Sequence, residues 1–310
     1  QEPFLYHLVA RLMKLSSLAY ANAHRPWQLY QSLFYQLLAK CRPVQPGHKF
    51  RFRNKLLSID ATVIELCAQI FDWAHFRKTK GAVKLHLALD HEGYLPSYAC
   101  ITTGKVHEVT VARKRTWPSG AILTFDRAFV DFAWFASLIR QGVWFVTRAK
   151  GNAAYRVLAV SIPPFRRNIL KDETIELTGY YSRKKCPFPL RRIESLDPRT
   201  GEIAVLLTNH LSFGASTIGA IYKDRWQIEI LFRNLKQHLH LKTFVGTSAN
   251  ALHIQIWTAL IAYLLLWYLK MKSSFSWSMS NLIALIRMNL FARKGLWSWL
   301  DDPFPRPLTH

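Results

Sequence analysis

The sequence predicts a mixed α/β fold, in which a sheet of mixed strand directions is flanked by helices. Five strand-like stretches lie between residues 56 and 148. The first three follow one another directly, and a helical stretch separates the last two, which is typical of such a sheet. Half of the 310 residues are hydrophobic, so a sizeable core is available. This length fits one main domain with an insertion, or two small domains.

The chain begins with a helical region. Residues 3 to 22 carry apolar side chains at helical spacing, and a second helix is predicted from Trp27 to Leu38 after Pro26, a residue suited to a first helical turn. Residues 42–55 then contain two prolines, a glycine and several basic side chains, which predicts a positively charged loop.

The five strands are rich in β-branched and aromatic residues. We place them at 56–64, 83–89, 94–102, 121–125 and 143–148, with a helix at about 131–140. This order of elements matches the RNase H-like core, as an analogy at the level of the fold.

Residues 151–212 differ from the core, because they hold several prolines, a basic run and further strand-like pieces. We interpret them as a β-rich insertion ahead of a long helix. The predicted segments are therefore an N-terminal helical segment at 1–55, a core in two parts at 56–150 and 213–272, the insertion at 151–212, and a C-terminal helix and tail at 273–310.

One apolar stretch, residues 254–269, raises the question of a membrane span. It falls short of the ~20 residues that a span needs and contains Gln255. We therefore expect a buried helix and no membrane partner.

The charge balance points to a polyanionic partner. The chain has 42 Lys and Arg against 19 Asp and Glu, a formal net charge of +23 that is spread along its length. Nucleic acid is the usual partner of such a protein. A basic ribosomal or membrane-surface protein is the alternative, but neither usually carries eleven tryptophans.

The four cysteines are scattered and form no Cys-x2-Cys pair, so we expect neither a zinc site nor a redox motif. Free thiols fit a reducing compartment, and we expect a cytoplasmic protein. Because the chain opens with Gln1, we expect that an N-terminal part of the gene product is missing.

Polar side chains follow one stripe of the helix predicted at 221–236, which lacks Gly and Pro. Tyr222, Arg225, Glu229 and Lys236 fall within an arc of about 60° at helical spacing, over a length of about 21 Å. Apolar residues fill the neighbouring arc. A solvated face is the ordinary explanation of such a stripe, and two acids upstream argue against it.

Those acids are Asp60, inside the first strand, and Asp126, at the end of the fourth. A carboxylate within an apolar strand is costly unless it is paired, and a metal ion or a structural hydrogen bond could each pair Asp60. With Glu229, they make a set of three carboxylates. Phosphoryl transfer on DNA uses such a set to hold two divalent ions, and hard oxygen ligands favour Mg²⁺ or Mn²⁺.

The spacing Tyr-x2-Arg-x3-Glu-x6-Lys resembles the signature of DDE transposases of the insertion-sequence-four family. The resemblance covers about residues 20–270 and implies an RNase H-like core with a β insertion. It implies catalysis and metal binding by Asp60, Asp126 and Glu229, with Asp60 bridging two ions. Ala128 and Phe129 depart mildly from the family pattern after Asp126, and little of a DNA-recognition region precedes residue 20.

The resemblance also implies the partners and the reaction. Tyr222, Arg225 and Lys236 would grip phosphates of double-stranded DNA, and Trp226 would either stack on a base or pack as a core aromatic. The protein is expected to act as a homodimer on paired element ends. It would cut one strand at each end and join the freed 3′-hydroxyl to target DNA.

Three alternatives remain open at this point. The chain could be a shortened remnant that binds DNA or dimerises without transposing. It could be a metal-dependent nuclease that lacks strand transfer. The third alternative is a membrane protein that uses residues 254–269.

Overall fold

The computed structural model describes residues 14–67, 73, 75–77, 80–151, 153–162, 168–197, 200–239, 246–290, 292 and 295–304. The chain divides into two compact units. One consists of Gly47–Val63 and Val83–Ile230, and we call it the sheet unit. The other consists of Gln1–Pro46, Ile64–Ala82 and Leu231–His310, and we call it the helical unit. The five segments drawn from the sequence stay a prediction.

The sheet unit is built on five strands in the order β4-β3-β1-β5-β6. Strand β5 pairs in parallel with both β1 and β6, whereas β3 and β4 form an antiparallel pair. The mixed sheet expected from the sequence is therefore present. The strands span Leu56–Cys67 (β1), Lys80–Asp90 (β3), Leu95–Thr103 (β4), Ile122–Phe125 (β5) and Trp144–Arg148 (β6).

Four further strands continue the same sheet. They span Tyr155–Val160 (β7), Ile169–Leu177 (β8), Leu190–Leu196 (β9) and Ile203–Thr208 (β10). Each pairs antiparallel with the next, and β10 pairs antiparallel with β6. The strand-rich segment thus shares backbone hydrogen bonds with the core, which the sequence did not indicate.

Helices also belong to the sheet unit, and one of them packs on the hydrophobic core of the sheet. The short helix α3 (Glu108–Arg113) precedes α4 (Phe132–Arg140), whose first turn is capped by the Asp131 carboxylate. Trp134 and Phe135 of α4 are buried with Phe125 and Phe145 of the sheet. A helix of six residues, α5 (Tyr180–Lys185), lies between β8 and β9.

The helix predicted at 221–236 is broken in the structure. Helix α6 (Ala215–Asp224) ends before Arg225, α7 (Trp226–Arg233) follows, and residues Asn234–His238 form a π turn. At the break, the Arg225 N–H bonds to the Tyr222 carbonyl three residues back, a tighter turn than an α-helix makes. The segment is therefore not one uninterrupted α-helix, although Arg225 keeps helical backbone angles (φ −50°, ψ −30°) and still bonds to Glu229, four residues further on.

The helical unit contains α1 (Leu15–His24), α2 (Gln28–Cys41), the short strand β2 (His75–Arg77), α8 (Ala249–Lys272), α9 (Met279–Asn289) and α10 (Leu296–Asp301). The aromatic rings of Phe34 and Trp257 pack 5.3 Å apart between α2 and α8. Strand β2 pairs with Lys80 and Gly81 at the start of β3.

Helix α8 has 24 residues and is longer than the 254–269 stretch. By length and composition it could cross a membrane, but half of its most apolar window is buried inside the fold. The core helix of a soluble protein has the same properties, so this is weak evidence for a span.

Candidate active site

Asp60 lies within β1 and is largely buried, with 19% of its side chain exposed. One carboxylate oxygen, Oδ1, accepts the backbone N–H of Ala61 at 2.7 Å. The other, Oδ2, lies 3.6 Å from Nη1 of Arg225. The carboxylate therefore has one local hydrogen bond and one nearby cation.

The charge of Asp60 is strongly opposed by its surroundings. The pKa of this carboxyl group is raised to about 7, chiefly by burial, and the negative charges of Asp126 and Glu229 act in the same direction. The Ala61 hydrogen bond and the Arg225 charge act in the opposite direction. The three acids are thus close enough to influence one another electrostatically.

Asp126 follows β5 directly. Its carboxylate accepts the Ala128 N–H at 2.9 Å and caps a 3₁₀ turn at Arg127–Phe129. Ser58 of β1 pairs in register with Thr124 of β5, and Asp60 and Asp126 each follow two residues later in the chain. Parallel pairing of β1 and β5 brings these two acids to the same part of the sheet.

Glu229 lies in the first turn of α7 and is half-buried. Its Oε1 accepts a hydrogen bond of 2.7 Å from Nη2 of Arg225. Ile228, the residue before it, is fully buried and fixes α7 against the core.

Arg225 connects two of the acids. Its side chain is only 12% exposed, yet Nε and Nη1 make no hydrogen bond to any residue that the structure describes. Buried donors are normally satisfied, so this guanidinium keeps hydrogen-bonding capacity for another group. The guanidinium carbon also lies 5.6 Å from the centre of the Tyr222 ring.

Tyr222 lies in α6, among charged groups. Burial raises the pKa of its phenol, and the positive charges of Arg225 and Arg148 partly oppose that shift. Arg148 ends β6, and the sequence did not single it out. The sequence could have indicated it, because Arg148 is a cation at the end of β6, and β6 is the neighbour of the strand that Asp126 follows.

The remaining predicted DNA contacts lie at different places. Trp226 is 56% exposed, which excludes the interpretation that it is a core aromatic. Lys236 is half-buried in the π turn and belongs to the helical unit.

A groove of about 840 Å³ runs along the sheet unit beside these residues. Its walls come from β8, β9, β10 and α6, and they include Tyr222, Arg225 and Trp226. Three further cations lie at its edge, namely Lys49, Arg148 and Lys223. The three acids do not line it.

Asp60, Asp126 and Glu229 are the candidate ligands for a divalent cation. Among the described residues, no group of three His, Cys, Asp or Glu side chains is close enough to form a preformed metal site. The chemistry of Asp60, Asp126 and Glu229 nevertheless fits a hard cation, since three carboxylates supply oxygen donors and repel one another. Arg225 now offsets part of that repulsion.

Comparison with known proteins identifies the relatives of this chain. Residues 51–265 match the family described as "Transposase DDE domain". The transposase y4zB of Sinorhizobium fredii is 31% identical over 297 residues, which are 94% of this chain and 82% of that protein. The transposase for insertion sequence element IS5377 of Geobacillus stearothermophilus is 29% identical over 79% of this chain and 64% of its own length.

A solved structure is also similar. The piggyBac transposase, in a synaptic complex with hairpin DNA, aligns with a TM-score of 0.41 and 14% identity. The alignment covers 84% of this chain and 59% of that one.

Proposed function

Because the chain belongs to the DDE transposase family, we propose that it cuts the ends of an insertion sequence and joins them to target DNA. In this reaction it hydrolyses one strand at each element end. The freed 3′-hydroxyl then attacks a phosphate of the target. The family carries out phosphoryl transfer, and the details of cleavage and joining belong to the proposal.

The observation that carries this proposal is that Arg225 contacts both Asp60 and Glu229, while Asp126 follows the strand that pairs in parallel with the strand of Asp60. The acids come from a strand, a strand end and a helix that are 66 and 103 residues apart in sequence. Mutual repulsion in a partly buried site destabilises the fold, and such a cost is typical of functional sites. We assign the catalytic and metal-binding role to these three carboxylates.

The strand order supports an RNase H-like core as the finer description of the fold. Strands β1, β3 and β4 follow one another in the chain, and β5 and β6 then add in parallel on the other side of β1. The first and fourth strands of that arrangement carry Asp60 and Asp126.

The DNA contacts proposed are Tyr222, Arg225, Lys236 and Trp226. Arg225 supports this assignment best, since two of its buried donors make no hydrogen bond to the described residues and could bind phosphate oxygens. Trp226 exposes a flat ring suited to stacking on a base. The net charge of +23 supplies long-range attraction to DNA.

DDE transposases are typically metal-dependent, and we propose Mg²⁺, with Mn²⁺ as a substitute. Bound between carboxylates, divalent ions activate the attacking oxygen and stabilise the leaving one. Asp60, Asp126 and Glu229 would hold the ions through their carboxylate oxygens. The chain's own contribution is to orient these acids and to keep Arg225 beside them.

Two further parts of the proposal rest on the family resemblance. They are a homodimer on paired DNA ends and action in the bacterial cytoplasm. Sedimentation of the protein with and without end DNA tests the first.

The reaction is tested with a labelled duplex carrying the terminal sequence that flanks the gene, in Mg²⁺ or Mn²⁺. The wild-type protein should nick the end and transfer it to a plasmid. Asp60→Asn, Asp126→Asn and Glu229→Gln should each abolish both products while leaving DNA binding measurable. Asp302→Asn, an exposed carboxylate in the C-terminal region, serves as the control.

The other possible outcomes would each point to a different function or to a different site. DNA binding without any cleavage by the wild type would indicate a binding remnant. Nicking without strand transfer would indicate a nuclease. Full activity in any of the three acid variants would overturn the site assignment.

A further inference from the structure

A chain of buried hydrogen bonds lies next to the acids in the sheet unit. The Asp224 carboxylate accepts a hydrogen bond of 2.7 Å from Nδ1 of His91. On the other side of the ring, Nε2 of His91 lies 2.6 Å from the Ser58 hydroxyl. Lys49, at 2.5 Å, and Tyr94, at 3.1 Å, also bond to Asp224.

This Ser-His-Asp arrangement resembles a nucleophilic triad, but it cannot act as one. Ser58 is completely buried, as is the His91 side chain. No substrate can reach the hydroxyl, so the chain of bonds must act within the protein.

The two ends of the network lie at the two sides of the proposed active site. Ser58 is two residues before Asp60 in β1, so both side chains point to the same face of the strand. Asp224 is the last residue of α6, directly before Arg225. Arg225 in turn contacts Asp60 and Glu229.

The network and the site therefore span the same gap between β1 and the break after α6. One connection runs from Ser58 through His91 to Asp224. The second runs from Asp60 to Arg225, and its 3.6 Å distance exceeds that of a hydrogen bond. The first connection is short at every contact, so it is the one that sets the width of the gap.

Hydrogen bonds stabilise the negative charge of Asp224. Burial alone would raise the pKa of this carboxyl group, but hydrogen bonds from His91 and Lys49 hold it below its ordinary value. With only 2% of its side chain exposed, Asp224 has no solvent to compete with these donors.

We propose that Ser58, His91 and Asp224 are positioning residues that hold Arg225 and α7 at the distance from β1 that the acid site requires. The proposal rests on the proposed function, since it concerns the geometry of that site.

The first test compares cleavage by Asp224→Asn with that by the wild type. The kcat for end cleavage should fall about 10–100-fold, the usual effect of losing a supporting contact. KM for DNA should change less than about threefold, since only 2% of the Asp224 side chain is exposed. His91→Asn, which can still donate from the position of Nδ1, should lose less activity than Asp224→Asn.

Two controls separate positioning from stability. Asp172→Asn removes another buried carboxylate of the same unit, which pairs with Arg191. Glu173→Gln removes a half-buried acid of the neighbouring pair with Arg192, in case the first control folds poorly. Both should keep kcat per folded molecule near the wild-type value.

A spectroscopic measurement does not depend on activity. In metal-free ¹⁵N-arginine protein, the Nε–H signal of Arg225 is identified by its loss in Arg225→Lys. Asp224→Asn should move this signal, and Glu173→Gln should not.

An unmoved Arg225 signal in folded Asp224→Asn would overturn the proposal. So would a kcat that falls only in proportion to the folded fraction. If the wild type cuts no DNA, the proposed function fails while the arginine signal still decides the positioning role.

Discussion

Two buried arginines of the sheet unit show opposite ways of using a guanidinium group. Arg191 of β9 forms a bidentate pair with Asp172 of β8, with bonds of 2.7 and 2.6 Å. Its Nη1 donates to backbone carbonyls after β10, including that of Phe213. All of its nitrogens are therefore engaged.

Arg225 is buried almost as deeply, with 12% of its side chain exposed against 8% for Arg191. It makes one hydrogen bond, to Glu229, and lies near Asp60. Two of its nitrogens make no hydrogen bond to the described residues.

The difference separates an arginine whose donors are all used within the fold from one that keeps donors available, and we propose that Arg225 uses them for DNA. A guanidinium whose donors are all hydrogen-bonded within the protein, like that of Arg191, has none left for a ligand and holds strands together. A guanidinium with unpaired buried donors has lost its hydration without gaining hydrogen bonds in exchange. This is expected where a ligand binds and supplies the missing hydrogen bonds.

The largest effect should come from Arg191→Leu. It leaves the Asp172 carboxylate buried and unpaired, so the free energy of unfolding should fall by about 3–5 kcal/mol. Urea denaturation measures this. Arg156→Leu, which breaks an exposed pair with Glu176, should cost about 0–1 kcal/mol. If both variants lost the same free energy of unfolding, Arg191 would have no special structural role.

Asp60→Asn should increase the free energy of unfolding, by an amount that depends on pH. The folded pKa of about 7 exceeds the unfolded value of 3.8, so the folded state binds the extra proton and loses stability as pH rises from about 4 to 7. In metal-free buffer at pH 8, the variant should be more stable by about 2–4 kcal/mol.

The gain in Asp60→Asn should vanish near pH 4, where the wild-type carboxyl group is protonated when folded. Unfolding curves at both pH values check this, with Asp302→Asn as the control. A variant less stable than the wild type at pH 8 would show that Asp60 is not strained.

Arg225→Lys should separate activity from stability. Loss of the planar donor group should reduce strand cleavage about 100-fold, the scale found when one transition-state donor is removed. The free energy of unfolding should change by less than about 1 kcal/mol, because a cation remains. Arg191→Lys should show the reverse pattern, with lower stability and normal cleavage per folded molecule.

The smallest effect concerns Lys236. If this side chain contacts phosphate, Lys236→Ala should reduce the slope of log binding constant against log salt by about one unit. Arg156→Ala, on the exposed strand β7, should leave the slope unchanged. A salt titration of end-DNA binding gives both slopes, and no change for Lys236 would remove it from the DNA contacts.

The strands of the core were predictable because their signal is local. All five predicted strands are present, with boundaries that differ by a few residues. Asp60 and Asp126 stood out from the sequence for the same reason, as polar residues inside or directly after apolar runs. The family relationship also followed from sequence, because the signature spacing of Tyr222, Arg225, Glu229 and Lys236 is itself a sequence property.

Contacts between distant segments were not predictable. His91 lies in the turn between β3 and β4, and only folding brings it to Asp224, 133 residues away. The pairing of β10 with β6 and the break at Arg225 also depend on such contacts.

The sequence by itself determined the mixed α/β class, the basic charge and the identity of the three candidate acids. Each is read from neighbouring residues or from composition. Tertiary structure decided how the acids meet, which arginine remains unsaturated and where the helix breaks. The physical reason is that these properties depend on burial and on hydrogen bonds across tens of residues, and no local pattern records them.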